Sequence, residues 1–388
     1  MPWKETCTVD QRESFIEAAR ARSMPFSDAC DHFGISRKTG YKWLERYHEG
    51  GVAGLEDRSR APKRVPWTLT LEMSKKLVAL RQKRPTWGPR KMLGYLETHE
   101  PELELPAAST VGELLKREGL VKSRRRRRWP AGATPTGLKE PKAPNDCWGV
   151  DFKGQFVIDH EYCWPLTTSD LFSRFLLGCT GLRSTATGGV KPIFVRLFQE
   201  YGLPNAIRSD NGVPFSSVAL GGLSMLAVWW VRLGIRLERI PPGQPQHNGR
   251  HERMHRTLKA EACKPPEPTL AAQQRRFDDF RLDFNIDRPH EALANKSPAA
   301  VYEPSQKCYP SQLPELEYPS HFALRRVRHD GSVKLLSQEL YLSGPLAGEV
   351  VGLEEMDDQL WHLHLGPIFL GILDGRGRRL KLIPAARA

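Results

Sequence analysis

Apolar positions along the chain change their period twice. Up to about residue 120 the spacing is helical. Asp10 with Glu13 reads as a capping box that opens a helix carrying Phe15, Ile16 and Ala19 on one face. Pro25 follows, and Ser27 stands where it can cap a second helix with Ala29, Cys30 and Phe33 turned inward. Gly34-Ile35-Ser36 makes a turn, and Ser36 caps a third helix from 37 to about 48. Apolar positions 29, 33, 35 and 43 around Gly34 match a helix-turn-helix core. A Gly- and Arg-containing linker leads to a second helical unit, with helices at 71–83, after Trp87 to about 96, and from a Ser109 cap to Gly119.

From residue 145 the pattern alternates between two periods. Strands are predicted at 148–158, 162–168, 174–182, 205–208 and 235–240, and helices at 189–201, 223–233, from 249 onward and at 270–286. Three antiparallel strands followed by alternating helices and strands make an α/β domain. Asp170, before the third strand, reads as a turn or cap. After a Pro-rich spacer at 304–319, short alternating runs at 322–327, 333–336, 348–353, 360–365 and 368–373 point to a small SH3-like β barrel. Asp330-Gly331 and Asp374-Gly375 mark tight turns there. The fold class is therefore multidomain. It has all-α helix-turn-helix units at 1–58 and 64–122, a basic linker at 123–144, an α/β core at 145–303 and a C-terminal β barrel at 318–384.

Charge narrows the partner. Lys and Arg number 58 against 45 Asp and Glu, a net charge of +13, and the pI is near 9.5. That balance favours a polyanion, and by itself fits a ribosomal or membrane-surface protein as well as a DNA binder. No run of 18 apolar residues exists and the N terminus is charged, so neither a membrane span nor a signal peptide is expected. The seven cysteines are scattered without a C-x-x-C pair, which suggests neither a zinc site nor a disulfide framework and fits a reducing cytosol. Arg37, Lys38, Tyr41 and Lys42 fall at the start of the third helix, where a recognition helix meets DNA. Arg124, Arg125, Arg126, Arg127 and Arg128 repel one another and read as an extended segment. It either is a solvated linker or neutralises phosphates and enters a minor groove.

Three carboxylates occupy settings of their own. Asp151 sits mid-strand, on the face opposite Trp148, Val150 and Phe152. Asp210 ends a short strand in Ser209-Asp210-Asn211-Gly212, a turn sequence that alone argues only for a turn. Glu252 follows Asn248-Gly249 at a helix start and shares a face with His255, Arg256 and Lys259, while Met254 and Leu258 lie on another face. Alone, that helix reads as a solvated charged surface.

Taken together, these segments resemble the bacterial insertion-sequence transposases of the DDE type, which carry a retroviral-integrase-like core of RNase H fold. The resemblance covers nearly the whole chain. It implies a catalytic and metal-binding triad of Asp151, Asp210 and Glu252, with Lys259 matching the family's basic residue seven positions after the Glu. Asp210 and Glu252 stand 42 positions apart, several more than is usual in the family, and the excess falls around 218–223.

Hard oxygen donors suit Mg²⁺ or Mn²⁺, two ions per site, acting on an in-line phosphoryl displacement. Water would free a 3′-OH at the element end, and that hydroxyl would attack target DNA. His255, Arg256 and Lys259 would contact phosphate. Expected partners are duplex DNA (terminal inverted repeats and target) and further copies of the chain, as a dimer or larger. A cytoplasmic, nucleoid-associated location without membrane contact follows. Two other readings stay open: a DNA-binding regulator with an inactive nuclease-like domain, and a simple nuclease of the same fold.

Overall fold

A computed structural model describes residues 7–21, 24–58, 69–121, 138–241 and 249–385. It forms two compact units, Met1–Thr68 and Leu69–Ala388.

The first unit packs α1 (Thr8–Arg20), α2 (Phe26–His32) and α3 (Arg37–Gly50) around Phe15, Ile16, Ala29, Cys30, Trp43 and Leu55. The capping box exists, but one turn earlier than expected: Cys7 is the cap and Asp10 its reciprocal partner. Pro25 starts α2 with no side-chain cap, so Ser27 does not serve there, whereas Ser36 caps α3 through the Thr39 amide at 3.3 Å. Gly34 takes φ +63 in the turn between α2 and α3, a conformation that favours glycine. Gly40 lets α3 approach α2, because a Cβ there would lie 2.7 Å from the Cys30 sulfur. Arg37, Lys38, Tyr41 and Lys42 are all exposed on α3.

The second unit begins with α4 (Leu71–Lys83), α5 (Pro89–His99) and α6 (Ala108–Arg117), closed over Leu77, Trp87, Met92, Leu96, Val111, Leu114 and Leu115. Ala107, not Ser109, stands at the N-cap of α6.

A mixed sheet follows: β1 (Trp148–Phe152), β2 (Phe156–Ile158), β3 (Glu161–Asp170), β4 (Leu176–Leu182), β5 (Ala206–Ser209) and β6 (Arg236–Arg239). The pairing order is β2-β3-β1-β5-β6, with β4 on β3. β1, β2, β3 and β4 pair antiparallel, and β1-β5-β6 run parallel. The single strand expected at 148–158 is two, divided at Gly154 with φ +89.

Helices cover both faces. α7 (Thr187–Tyr201) and α8 (Met225–Arg232) bury Trp148, Val150, Leu166 and Leu177. On the other face, α9 (Gly249–Glu261) and α10 (Leu270–Ile286) bury Cys163, Leu176 and Cys179 beneath Met254, Leu258, Phe277, Phe280 and Phe284. The alternation of β1 therefore assigns Trp148 and Val150 to one layer and leaves Gly149 and Asp151 to the α9 layer.

The C-terminal part holds β7 (Ala323–Arg326), β8 (Ser332–Leu335), β9 (Gln338–Tyr341), β10 (Val350–Asp357), β11 (Leu360–Leu365), β12 (Ile368–Asp374) and β13 (Lys381–Pro384). They form an antiparallel sheet in the order β13-β12-β11-β10-β7 and a separate β8-β9 hairpin. Among the described residues no pairing joins β13 to β7, and β10 pairs with β7 across the intervening β8-β9 hairpin.

This sheet shares a core with α8 and with the loop before it, through Leu220, Leu223, Ala227, Val228 and Val231 against Val351, Leu353, Leu363, Leu365 and Leu370. Leu220 and Leu223, within the segment between Asp210 and Glu252, thus help to seat the C-terminal sheet on the α/β core. Among the described residues no helix is long and apolar enough to cross a membrane.

Candidate active site

Register brings two of the three carboxylates level. β1 and β5 pair in parallel with Trp148 opposite Ile207 and Gly149 opposite Arg208. Continuing that register sets Asp210, one residue past β5, beside Asp151 on a neighbouring strand, about 4.8 Å away backbone to backbone. Asp151 is half-buried and Asp210 is exposed, with its carboxylate accepting the Gly212 amide at 3.1 Å.

Helix α9 lies directly on the Asp151 face. A Cβ on Gly149 would stand 3.1 Å from His251 Nδ1, so glycine at that position is what lets the helix approach. The buried stripe of α9 is His251, Met254, His255 and Leu258, at i, i+3, i+4 and i+7. Glu252, Arg256 and Lys259 form the exposed stripe beside it. His255, expected to reach phosphate, is instead only 7% exposed, because its ring packs into the sheet.

The local hydrogen bonds fix the ring protons. A hydroxyl has one hydrogen and two lone pairs. Thr167, opposite Asp151 in the β1–β3 ladder, donates its hydroxyl to the Asp151 carbonyl at 2.9 Å. It therefore accepts from His251 Nε2 at 2.8 Å and from His255 Nε2 at 2.7 Å. With its proton on Nε2, His251 accepts from Ser169 Oγ through Nδ1 at 3.2 Å. His255 is left with an unprotonated Nδ1, 3.8 Å from Asp151 Oδ2.

Burial pushes the His255 pKa down to about 2, helped by His251 and Lys153. Burial likewise pushes His251 down to about 4, against a backbone hydrogen bond with Thr167 that raises it. The His255–Asp151 contact is consequently a neutral ring beside a carboxylate, not an ion pair.

An acid sensitivity follows. Both folded values lie below the roughly 6.5 of an exposed imidazole, so the unfolded chain takes up protons first as pH falls. The stabilisation is whole above about pH 6.5 and is lost as pH drops toward 4. Between pH 7.5 and 5.0 the loss is on the order of 2 kcal/mol per ring. Urea unfolding midpoints at those two pH values check this, and equal midpoints would contradict it. Replacing His255 with Gln should remove part of the difference.

Glu252 sits one turn before His255 on α9, which places its backbone about 5–6 Å along the helix from the residue that touches Asp151. The three carboxylates are not drawn together within 4.8 Å: among the described residues, the one trio of metal-capable side chains that close is Glu354, His362 and His364. Like charges repel, and a shared cation is what would gather the three acids. As a donor set they fit a hard divalent ion, being all oxygen, on adjacent strands and on the helix laid against them.

A second feature was not read from the sequence. Lys91, Arg174, Arg250, Arg253 and Arg288 line one cavity of about 500 Å³ along the flank of α9, with Asp170 and Glu291 as its acids. Burial and the neighbouring Arg288 push Lys91 down to about 8, and burial with Arg250 pushes Arg174 down to about 10. Crowded cations of this kind are relieved by a bound anion. Arg250 and Arg253 flank Glu252 on α9, but only the packing of α5 and the β3–β4 turn against α9 shows that they converge with Lys91 and Arg174.

Asp170 is fully buried, accepts the Ser173 amide and hydroxyl and the Asn145 amide, and so acts as the turn former expected. Glu238, the other glutamate near Asp210 in sequence, is not the surface group its alternation with arginines suggests. It is 8% exposed and holds the equally buried Arg208, its register partner on β5, at 2.8 Å, and Arg236 at 2.9 Å. Burial raises its pKa, but the hydrogen bonds and charges of Arg236 and Arg208 outweigh that and lower it overall. The segments 122–137, with the five arginines, and 242–248 lie outside the described residues.

Three domain families match the sequence: a helix-turn-helix domain over 11–63, a homeodomain-like domain over 39–115, and an integrase core domain over 233–298. The last contains α9 and Glu252. An uncharacterized 39.2 kDa protein of insertion element IS476 from Xanthomonas euvesicatoria is 28% identical over 254 residues, covering 64% of this chain and 69% of that protein. An uncharacterized 31.7 kDa protein of insertion element IS407 from Burkholderia multivorans is 26% identical over 236 residues, covering 58% of this chain and 79% of that one. The Gag-Pol polyprotein of baboon endogenous virus is 30% identical over 196 residues, which cover 49% of this chain and 11% of the polyprotein.

Proposed function

We propose that this chain, which matches helix-turn-helix and integrase core domain families and is similar to proteins of insertion elements IS476 and IS407, is the DDE transposase of an insertion element. In this reading it hydrolyses a phosphodiester at the element end to free a 3′-OH, then joins that hydroxyl to target DNA. The observation that carries the reading is the β1–β5 register, which sets Asp210 level with Asp151 on the face that α9 covers with Glu252.

Asp151, Asp210 and Glu252 would hold the Mg²⁺ or Mn²⁺ ions, two per site in this reading. Bound there, such ions supply charge stabilisation to the attacking and leaving oxygens of an in-line displacement. The protein's own groups do the rest. Arg256 and Lys259, exposed beside Glu252, take phosphate oxygens and hold the DNA in register. Lys91, Arg174, Arg250 and Arg253 take phosphates along the flank of the same helix. His251 and His255, kept neutral by burial, fix α9 to β3 and leave the Asp151 carboxylate without a competing cationic ring.

Arg37, Lys38, Tyr41 and Lys42 read the end sequence from α3, and the five arginines from Arg124 to Arg128 add sequence-independent phosphate contacts. The chain acts as a dimer or larger assembly, because joining a transposon requires two ends.

Cleavage of a labelled duplex carrying the element end should require Mg²⁺ or Mn²⁺. Ca²⁺ should support binding with little cleavage, since its looser coordination misplaces the reacting oxygens. Full cleavage in excess EDTA would overturn the assignment. Cleavage without any joining would favour the simple nuclease instead.

A further inference from the structure

We propose that the C-terminal sheet carries a zinc site, formed by Glu354, His362 and His364 with His321 as the fourth ligand. The site lies on the outer face of β10 and β11, apart from the acidic residues of the α/β core, and does not depend on the reading given to them.

The pattern of β11 creates the site. In Leu360-Trp361-His362-Leu363-His364-Leu365, Trp361, Leu363 and Leu365 are buried in the core shared with α8. Strand alternation then turns His362 and His364 together onto the opposite face. Glu354 is the direct register partner of His362 on β10, so its carboxylate rises between the two rings. His321 joins from the segment just before β7.

The distances suit one small ion. Glu354 Oε2 is 3.8 Å from His362 Nδ1 and 3.8 Å from His364 Nε2, and Glu354 Oε1 is 3.6 Å from His321 Nε2. One ligand atom from each of Glu354, His362 and His364 lies within 4.8 Å of the others. Tetrahedral zinc with bonds of about 2.0–2.2 Å needs ligand atoms about 3.3–3.5 Å apart, so the three Glu354 contacts have to close by only a few tenths of an ångström, whereas His321, outside the trio, has to swing toward the other two rings to serve as the fourth ligand.

None of the three contacts is short enough to be a hydrogen bond. His364 Nε2 is buried and has no hydrogen-bond partner, an unfavourable state that a bound ion would relieve. Phe322 and Phe369, with ring centroids 5.4 Å from that of His364, wall the site.

The alternative is that Glu354 serves as a shared ion-pair partner for the three imidazoles. That role leaves Nε2 of His364 without a hydrogen bond, since Glu354 stands 3.8 Å from it. Two or three imidazoles with one carboxylate select zinc over magnesium, which prefers an all-oxygen octahedron. The ion would tie β10 and β11 to the segment preceding β7.

Full-length protein, stripped with chelator and dialysed, is titrated with Co²⁺ in excess Mg²⁺ while the visible spectrum is followed. The expected result is one equivalent with the intense bands of tetrahedral cobalt, displaced by Zn²⁺. Asp151→Asn should leave the bands unchanged. His362→Gln and Glu354→Gln should each weaken binding by more than the roughly 10–100-fold typical of losing an outer-shell partner. Circular dichroism of the stripped variants controls for folding. If a variant fails to fold, the wild-type spectrum still decides. Absence of tetrahedral bands, or bands that survive His362→Gln but vanish in Asp151→Asn, would overturn the site.

Discussion

Replacing Glu252 with Gln is expected to abolish both cleavage and joining while leaving binding to the element end within about twofold of wild type. Glu252 is exposed on α9, and Gln has the same shape and a similar helix propensity, so stability should change by less than about 0.5 kcal/mol. What the substitution removes is the negative charge that a hard divalent ion requires. The loss should reach about 10³-fold or more, as when an electrostatic contact to the transition state is deleted. Arg256 and Lys259 remain in place on the same stripe, which is why binding survives. Gel-shift and cleavage measurements on the same preparation separate the two effects. Cleavage by the Glu252→Gln variant within a few-fold of wild type would move the metal site off α9.

Replacing Glu238 with Ala should cost stability rather than chemistry, by about 3–5 kcal/mol. Arg208 is 7% exposed and donates to Glu238 through both Nε and Nη2, at 3.0 and 2.8 Å. Without the carboxylate its charge stays buried with, among the described residues, the Lys139 carbonyl as its remaining hydrogen-bond acceptor. The paired change Arg208→Met with Glu238→Leu should recover most of the loss, because it removes both desolvated charges. Urea unfolding midpoints of the wild type, single and paired variants check this. A single variant within about 0.5 kcal/mol of wild type would mean that the pair is effectively solvated.

These two glutamates mark where the sequence was legible and where it was not. Local periodicity located most elements: α10 runs over 270–286 as its apolar spacing predicts, and α7, α8, β5 and β6 fall within two residues of expectation. Strand alternation put Asp151 on the face opposite Trp148 and Val150, and the structure has that arrangement. Helix periodicity grouped Glu252, Arg256 and Lys259, but it cannot tell which adjacent stripe packs inward. His255 therefore went to the solvent side, when Thr167 on a strand far away in sequence holds it buried.

The burial of Glu238 depends on the β5–β6 register, and the cluster of Lys91 and Arg174 against α9 depends on tertiary packing. Neither leaves a local trace. β9 was missed because its hairpin turn is Leu336-Ser337, with φ of 51 and 60, rather than a Gly-containing pair. The strand-borne His362-x-His364 contains no cysteine pair, so the spacing that usually signals zinc is absent from it. The 42-position interval after Asp210 includes Leu220 and Leu223, which pack against the C-terminal sheet, a contact that no local periodicity announces.

The central claim is metal-dependent strand transfer by Asp151, Asp210 and Glu252. It is tested most directly by a joining assay on purified full-length protein, using a pre-cut element-end duplex with a free 3′-OH and a supercoiled plasmid target. The account predicts covalently joined product with wild-type protein in Mg²⁺ or Mn²⁺, and none in EDTA or with Asp151→Asn, although that variant still binds the duplex. Joining by Asp151→Asn at the wild-type rate, or by wild-type protein in EDTA, would contradict it.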